Sequence, residues 1–99
     1  MRSPASLSRV SNARPDPAEL PLRCPCCGMK TLVERGAFEI CAVCFWEDDG
    51  QDDADAEEVR GGPNGLLSLS AARDNYRRCG ACEERALPFV RKAFPDELG

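Results

Sequence analysis

Residues 24–46 read CPCCGMKTLVERGAFEICAVCFW, and two cysteine pairs frame the segment. Cys24 and Cys27 stand in C-x2-C spacing with Gly28 directly after them, and Cys41 and Cys44 repeat the spacing. Two residues between sulfurs let one tight turn present both on the same side. A tetrahedral Zn²⁺ takes four such thiolates at about 2.3 Å each. Pro25 stiffens the first turn by fixing φ, and Gly28 permits the positive φ by which the chain leaves it. Between the knuckles, Met29–Val33 and Ala37–Ile40 have the composition of short strands, with Glu34-Arg35-Gly36 as their turn. The sequence therefore predicts a β-hairpin carrying a knuckle at each end. The expected fold is a small α+β domain, a zinc-ribbon hairpin packed against one or two C-terminal helices. Cys24, Cys27, Cys41 and Cys44 are the expected ligands of one Zn²⁺. Iron is the alternative, because a four-thiolate site of this spacing also suits it. Against a rubredoxin-like carrier, Phe45 follows the second knuckle where glycine is expected.

Cys26 is the additional thiol. Its neighbour Cys27 is already a ligand, and adjacent residues fit one tetrahedron poorly. Cys26 is expected to be spare, either packed as a small hydrophobe or exposed, and a redox role for it is disfavoured because ionisation of a thiol beside a thiolate-rich site is discouraged electrostatically. Cys79 and Cys82 form a third C-x2-C, which raises a thiol redox role as a further alternative. The helical period opposes it. Leu69, Ala72, Tyr76 and Cys79 fall at i, i+3, i+7 and i+10, one apolar stripe on a helix from Leu69 to Arg78. Ser68 or Ser70 suits the N-cap, and Gly80 sits where a C′ glycine belongs. On this reading Cys79 is the best shielded of the three spare thiols, and Cys82 lies beyond the helix end. Pro88 should break or begin a second helix near Leu87.

Ninety-nine residues make one small domain with tails, and such a domain is short of core. Residues 1–21, with Pro4, Pro15, Pro17 and Pro21, are expected to be a disordered tail. Residues 22–93 form the domain, and 94–99 a short C-terminal tail. Seven cysteines compensate for the missing core, and the absence of histidine removes mixed Cys-His zinc fingers and His-dependent hydrolysis. No enzymatic activity is expected. No apolar run suggests a signal peptide or a membrane span, so a cytoplasmic, reducing location is expected, where paired cysteines read as metal ligands rather than disulfides.

The formal charge is −4, and four thiolates around one Zn²⁺ would take it to about −6. Nucleic acid is then a poor partner. Glu47–Glu58 holds eight acids and no base. Its spacing fails the calcium-loop pattern. The plain reading is a solvated loop; the sharper one is an acidic face, at Asp48, Asp49, Asp52 and Asp53, that docks a basic protein. A third use is pairing with the arginines between residues 73 and 91. Gly61-Gly62-Pro63-Asn64-Gly65 reads as a chain-reversing turn, and Phe45-Trp46 as core.

CPCCG, a short hairpin, ERGAFEICAVCFWEDDG, then GGPNG, an L-S-L helix start and GACEER together resemble the bacterial cysteine-rich CPCC domain family. The resemblance covers residues 23 to 92 and is most specific from CPCCG to FWEDDG. It implies a small metal-binding domain and no particular activity. By position, the family's motif cysteines correspond to Cys24, Cys26, Cys27, Cys41 and Cys44. Cys79 stands where the resemblance leads one to expect an aromatic, which favours a core role for it.

Overall fold

The computed structural model describes residues 17–99. Its regular elements are β1 (Leu22–Arg23), β2 (Lys30–Leu32) and α1 (Leu69–Cys79), joined by loops with short 3-10 turns. β1 and β2 run antiparallel, with Leu22 opposite Leu32 and Arg23 opposite Lys30. A small α+β fold with one two-stranded hairpin results. No helix among the described residues is long and apolar enough to cross a membrane.

The strand pairing differs from the expected one. Met29–Val33 and Ala37–Ile40 do not form one hairpin around Glu34–Gly36. Instead each pairs back across its own knuckle: 30–32 with 22–23, and Ile40 with Glu47. The reason is that a knuckle is itself a tight turn. Cys24 N donates to Met29 O at 2.8 Å, and Gly28 N to Cys24 O at 2.8 Å. The second knuckle repeats this pattern, with Cys41 N to Trp46 O at 2.9 Å and Phe45 N to Cys41 O at 2.8 Å. Each chain reversal places the flanking residues side by side, so the pairing is satisfied locally. The Glu34–Gly36 turn is left free to grip another loop.

α1 follows the predicted span, within one residue at its end. Ser68 Oγ accepts from Ala71 N at 3.0 Å, satisfying one orphan donor of the first turn. Gly80 closes the helix at φ 95°, and its N–H bonds to Tyr76 O at 2.9 Å. Leu69 and Ala72 are buried, while Tyr76 and Cys79 are only half-buried. The core gathers Leu32, Val43, Trp46, Leu69, Ala72, Ala81 and Ala86 around the cysteines.

Cys79 is not the best-shielded spare thiol; Cys82 is, at 2% exposure. Gly80 turns the chain back on the second knuckle, where Cys82 N donates to Cys44 O at 2.8 Å and Asn75 Nδ2 to Cys82 O at 2.8 Å. The last helical turn is left at the rim. Pro88 sits inside a 3-10 turn, Glu84–Phe89, in place of a second α-helix. The C-terminal residues are held down rather than loose: Arg91 forks onto Glu97 with two contacts of 2.8 Å, and Arg23 reaches Leu98 O at 3.4 Å. Of the expected tail, residues 1–16 lie outside the described residues, and Pro17–Glu19 forms a 3-10 turn.

Candidate metal centre

The two knuckles face each other across the core and bring four sulfurs together. Cys24, Cys27, Cys41 and Cys44 have Sγ atoms all within 4.8 Å of one another. Cys24 and Cys44 are 3.6 Å apart, and Cys27 and Cys41 are 3.7 Å apart. A metal bonded to four sulfurs at about 2.3 Å in a tetrahedron requires sulfurs about 3.8 Å from each other. The donor set therefore fits a tetrahedral thiolate metal, and no disulfide competes for these cysteines. Three of the sulfurs belong to buried residues; Cys27 is the half-exposed one. Cys26 is buried at 7% outside the cluster.

Polar hydrogens already point at the sulfurs. Met29 N lies 3.4 Å from Cys27 Sγ, Val43 N lies 3.4 Å from Cys41 Sγ, and Thr31 Oγ1 lies 3.0 Å from Cys41 Sγ. Hydrogen bonds from the other cluster thiols, first from Cys24 and then from Cys27 and Cys44, hold Cys41 below the ordinary thiol range. Cys24 is lowered too, chiefly by Cys27. Cys27 and Cys44 are raised, each mainly through its bond to Cys24. Four thiols this close to one another cannot all ionise without a compensating charge. A divalent cation would supply the charge that lets all four ionise.

The knuckles share one hydrogen-bonding pattern but are left by different residues. Gly28 leaves the first at φ 80°, and Phe45 leaves the second at φ 73°. A side chain in that region costs about 1–2 kcal/mol that glycine avoids. The backbone of the second knuckle is nevertheless that of the first, so the missing glycine changes the strain and not the geometry. The Phe45 ring stacks on Phe89, with centroids 5.4 Å apart.

The acidic loop needs a correction. Asp48 is not part of an exposed face: it is fully buried. Its Oδ2 accepts from Arg35 Nε and from Gly36 N at 2.8 Å each, and its Oδ1 from Gly50 N at 3.1 Å. Arg35 also bonds Asp52 Oδ2 at 2.6 Å and Gln51 O at 2.8 Å, which fastens the Glu34–Gly36 turn to the loop. That bond, foremost, holds the Asp52 carboxyl below the usual carboxylate range. Asp49 is half-buried, and its Oδ1 accepts from Gln51 N at 3.0 Å. Asp52 and Asp53 remain exposed, with Arg73 at 2.8 Å from Asp53. The sequence reading missed Thr31, which reaches the Cys41 sulfur, and the role of Arg35, which organises the loop. Thr31 has no mark in the string, and Arg35 stands out only as a turn residue, because its partners lie 13 to 17 positions downstream.

A family model for the cysteine-rich CPCC domain matches residues 22–97. The chain belongs to this family. The match runs through both knuckles, α1 and the Arg91–Glu97 clasp. No curated protein and no solved structure matches the chain.

Proposed function

We propose that this CPCC domain is a non-enzymatic zinc module in which one Zn²⁺, held by Cys24, Cys27, Cys41 and Cys44, is structural and an acidic surface docks a basic partner. The observation that carries the metal reading is the sulfur spacing, within about 0.2 Å of the tetrahedral requirement at both close pairs. Four protein ligands leave no open position for substrate, which is the arrangement of structural rather than catalytic zinc. The reading takes a reducing, cytoplasmic setting as its premise.

Iron is the second reading, favoured by the half-exposed Cys27 and by the glycine-like backbone at Phe45. The docking role is supported by charge. Among the described residues, Arg35, Arg60 and Arg73 are the bases paired to the Glu47–Glu58 segment, so three arginines face eight acids there. With Asp48 buried, the exposed part of that surface is Asp52 and Asp53 with Glu57 and Glu58.

Metal analysis of freshly purified protein tests the proposal. A colourless protein with one zinc per chain is expected. A red, iron-containing protein would replace it with the electron-carrier reading, and a metal-free folded protein would remove both.

A further inference from the structure

At the start of the acidic segment, beside the second knuckle, lies a cavity of about 190 Å³. Its walls include Phe45, Phe89 and Pro63, and its rim carries Glu47, Glu83 and Arg85. Ligand pockets for whole small molecules run to about 300–1,000 Å³, so this one is of a size for a single side chain. The two rings stack at 5.4 Å with 27° between their planes, and Phe89 keeps 66% of its surface exposed. The cavity is held open by fixed parts. Asn64 grips the Glu47 backbone from both sides, accepting from Glu47 N at 3.3 Å and donating to Glu47 O at 2.8 Å, while Glu47 pairs with Ile40 on its other edge. Phe45 keeps a left-handed backbone, at φ 73°, that a glycine would adopt without strain.

The charge at the rim is lopsided. Arg85 is committed to Glu83 at 3.1 Å, whereas the Glu47 carboxylate meets no cation among the described residues. An aromatic wall next to an uncompensated carboxylate is the chemistry that selects a cationic group. The same chain uses this contact internally, with the Arg91 guanidinium 3.8 Å above the Phe94 ring.

We propose that this cavity is the anchor site for one arginine or lysine side chain of a basic partner peptide. The partner's cation would lie against Phe45 and Phe89, and Glu47 would pair with it. The proposal rests on the docking reading above and gives that reading a defined contact.

The test uses the full-length, metal-loaded protein, titrated at low salt with tetra-arginine amide and with tetra-citrulline amide, and followed by backbone amide NMR. Expected are shifts centred on Phe45, Glu47, Glu83 and Phe89 with the arginine peptide and none with the citrulline peptide. Glu47→Gln and Phe89→Ala should each raise the Kd about three-fold while leaving the amide spectrum elsewhere unchanged. Shifts confined to Asp52, Asp53 and Glu57 would overturn the anchor site and leave the acidic docking surface standing. Absence of shifts anywhere would overturn both. Equal response to the citrulline peptide would show an apolar site and overturn the claim of cation selection.

Discussion

Asp48 and Asp52 are four residues apart in an acidic run, and they do different work. Asp48 is sealed from solvent and receives three donors, two from backbone and one from Arg35. Removing its charge would leave Arg35 with Asp52 as its one carboxylate partner and would turn an amide N–H₂ or a lost acceptor toward the Gly36 and Gly50 donors. Breaking one side of a buried pair costs about 3–5 kcal/mol. Because Arg35 retains 31% of its side-chain exposure, the lower end of that range is expected. Asp48→Asn should therefore destabilise the metal-loaded protein by about 3 kcal/mol, while Asp53→Asn, at an exposed pair, should cost under about 1 kcal/mol. Chemical denaturation of the two variants decides this. Equal midpoints would mean that Asp48 is as dispensable as its surface neighbours. The string EDDGQDDADAEE offers no mark that separates these aspartates, because Arg35 bonds both and the difference is made by burial and by the Gly36 N–H, which only Asp48 receives.

The elements show the same division between what is local and what is not. Helix α1 could be read from its period, its Ser68 cap and its Gly80 stop, since those signals act within a turn of where they stand. The four clustered cysteines could be read for the same reason: C-x2-C is a local turn. Pairing was less legible. The apolar runs at 29–33 and 37–40 invite each other as partners, but each knuckle reverses the chain with its own backbone hydrogen bonds and pairs the flanking residues locally. The path after Gly80 depends on tertiary contact with Cys44 and carries no local signal. Its consequence is measurable. Burial, with the nearby Cys26 and Glu83, pushes the Cys82 thiol up to about 12, and the residue is 2% exposed. Cys79 is half-buried at the rim of a surface recess shared with Tyr76 and Leu87. In the metal-loaded protein iodoacetamide should label Cys79 well before Cys82, because only thiolates that solvent can reach react. Site-resolved mass spectrometry that found Cys82 modified first would contradict the chain reversal at Gly80.

For the molecule as a whole, the question is what holds the two knuckles against each other. Among the described residues, the nine largest fully buried side chains are Trp46, Leu32, Leu69, Gln51, Val43, Asp48 and three of the clustered cysteines, so only four of them are large and apolar. A core of that size supplies at most about 3–5 kcal/mol. Helix α1, with 11 residues, is too short to persist without something to pack on. Arg73 links the parts, reaching Pro25 O in the first knuckle and Asp53 in the loop at 2.8 Å each. Such contacts at the surface add little. A four-thiolate metal site contributes about 10–16 kcal/mol coupled to folding at neutral pH. Its loss would leave four sulfurs crowded in a buried cluster and sharing protons. Removal of the metal by a strong chelator should therefore unfold residues 22–47 and, with the surface it packs on gone, α1 as well. Cys41→Ser should do the same without chelator, because Cys41 contacts both Cys27 and Thr31. Amide hydrogen exchange is the readout: protection at residues 22–47 and at 69–79 should vanish together and return when zinc is added back to the wild type. A chelated protein that kept its protection in 22–47 would place the stability in the small apolar core and make the metal incidental to the fold.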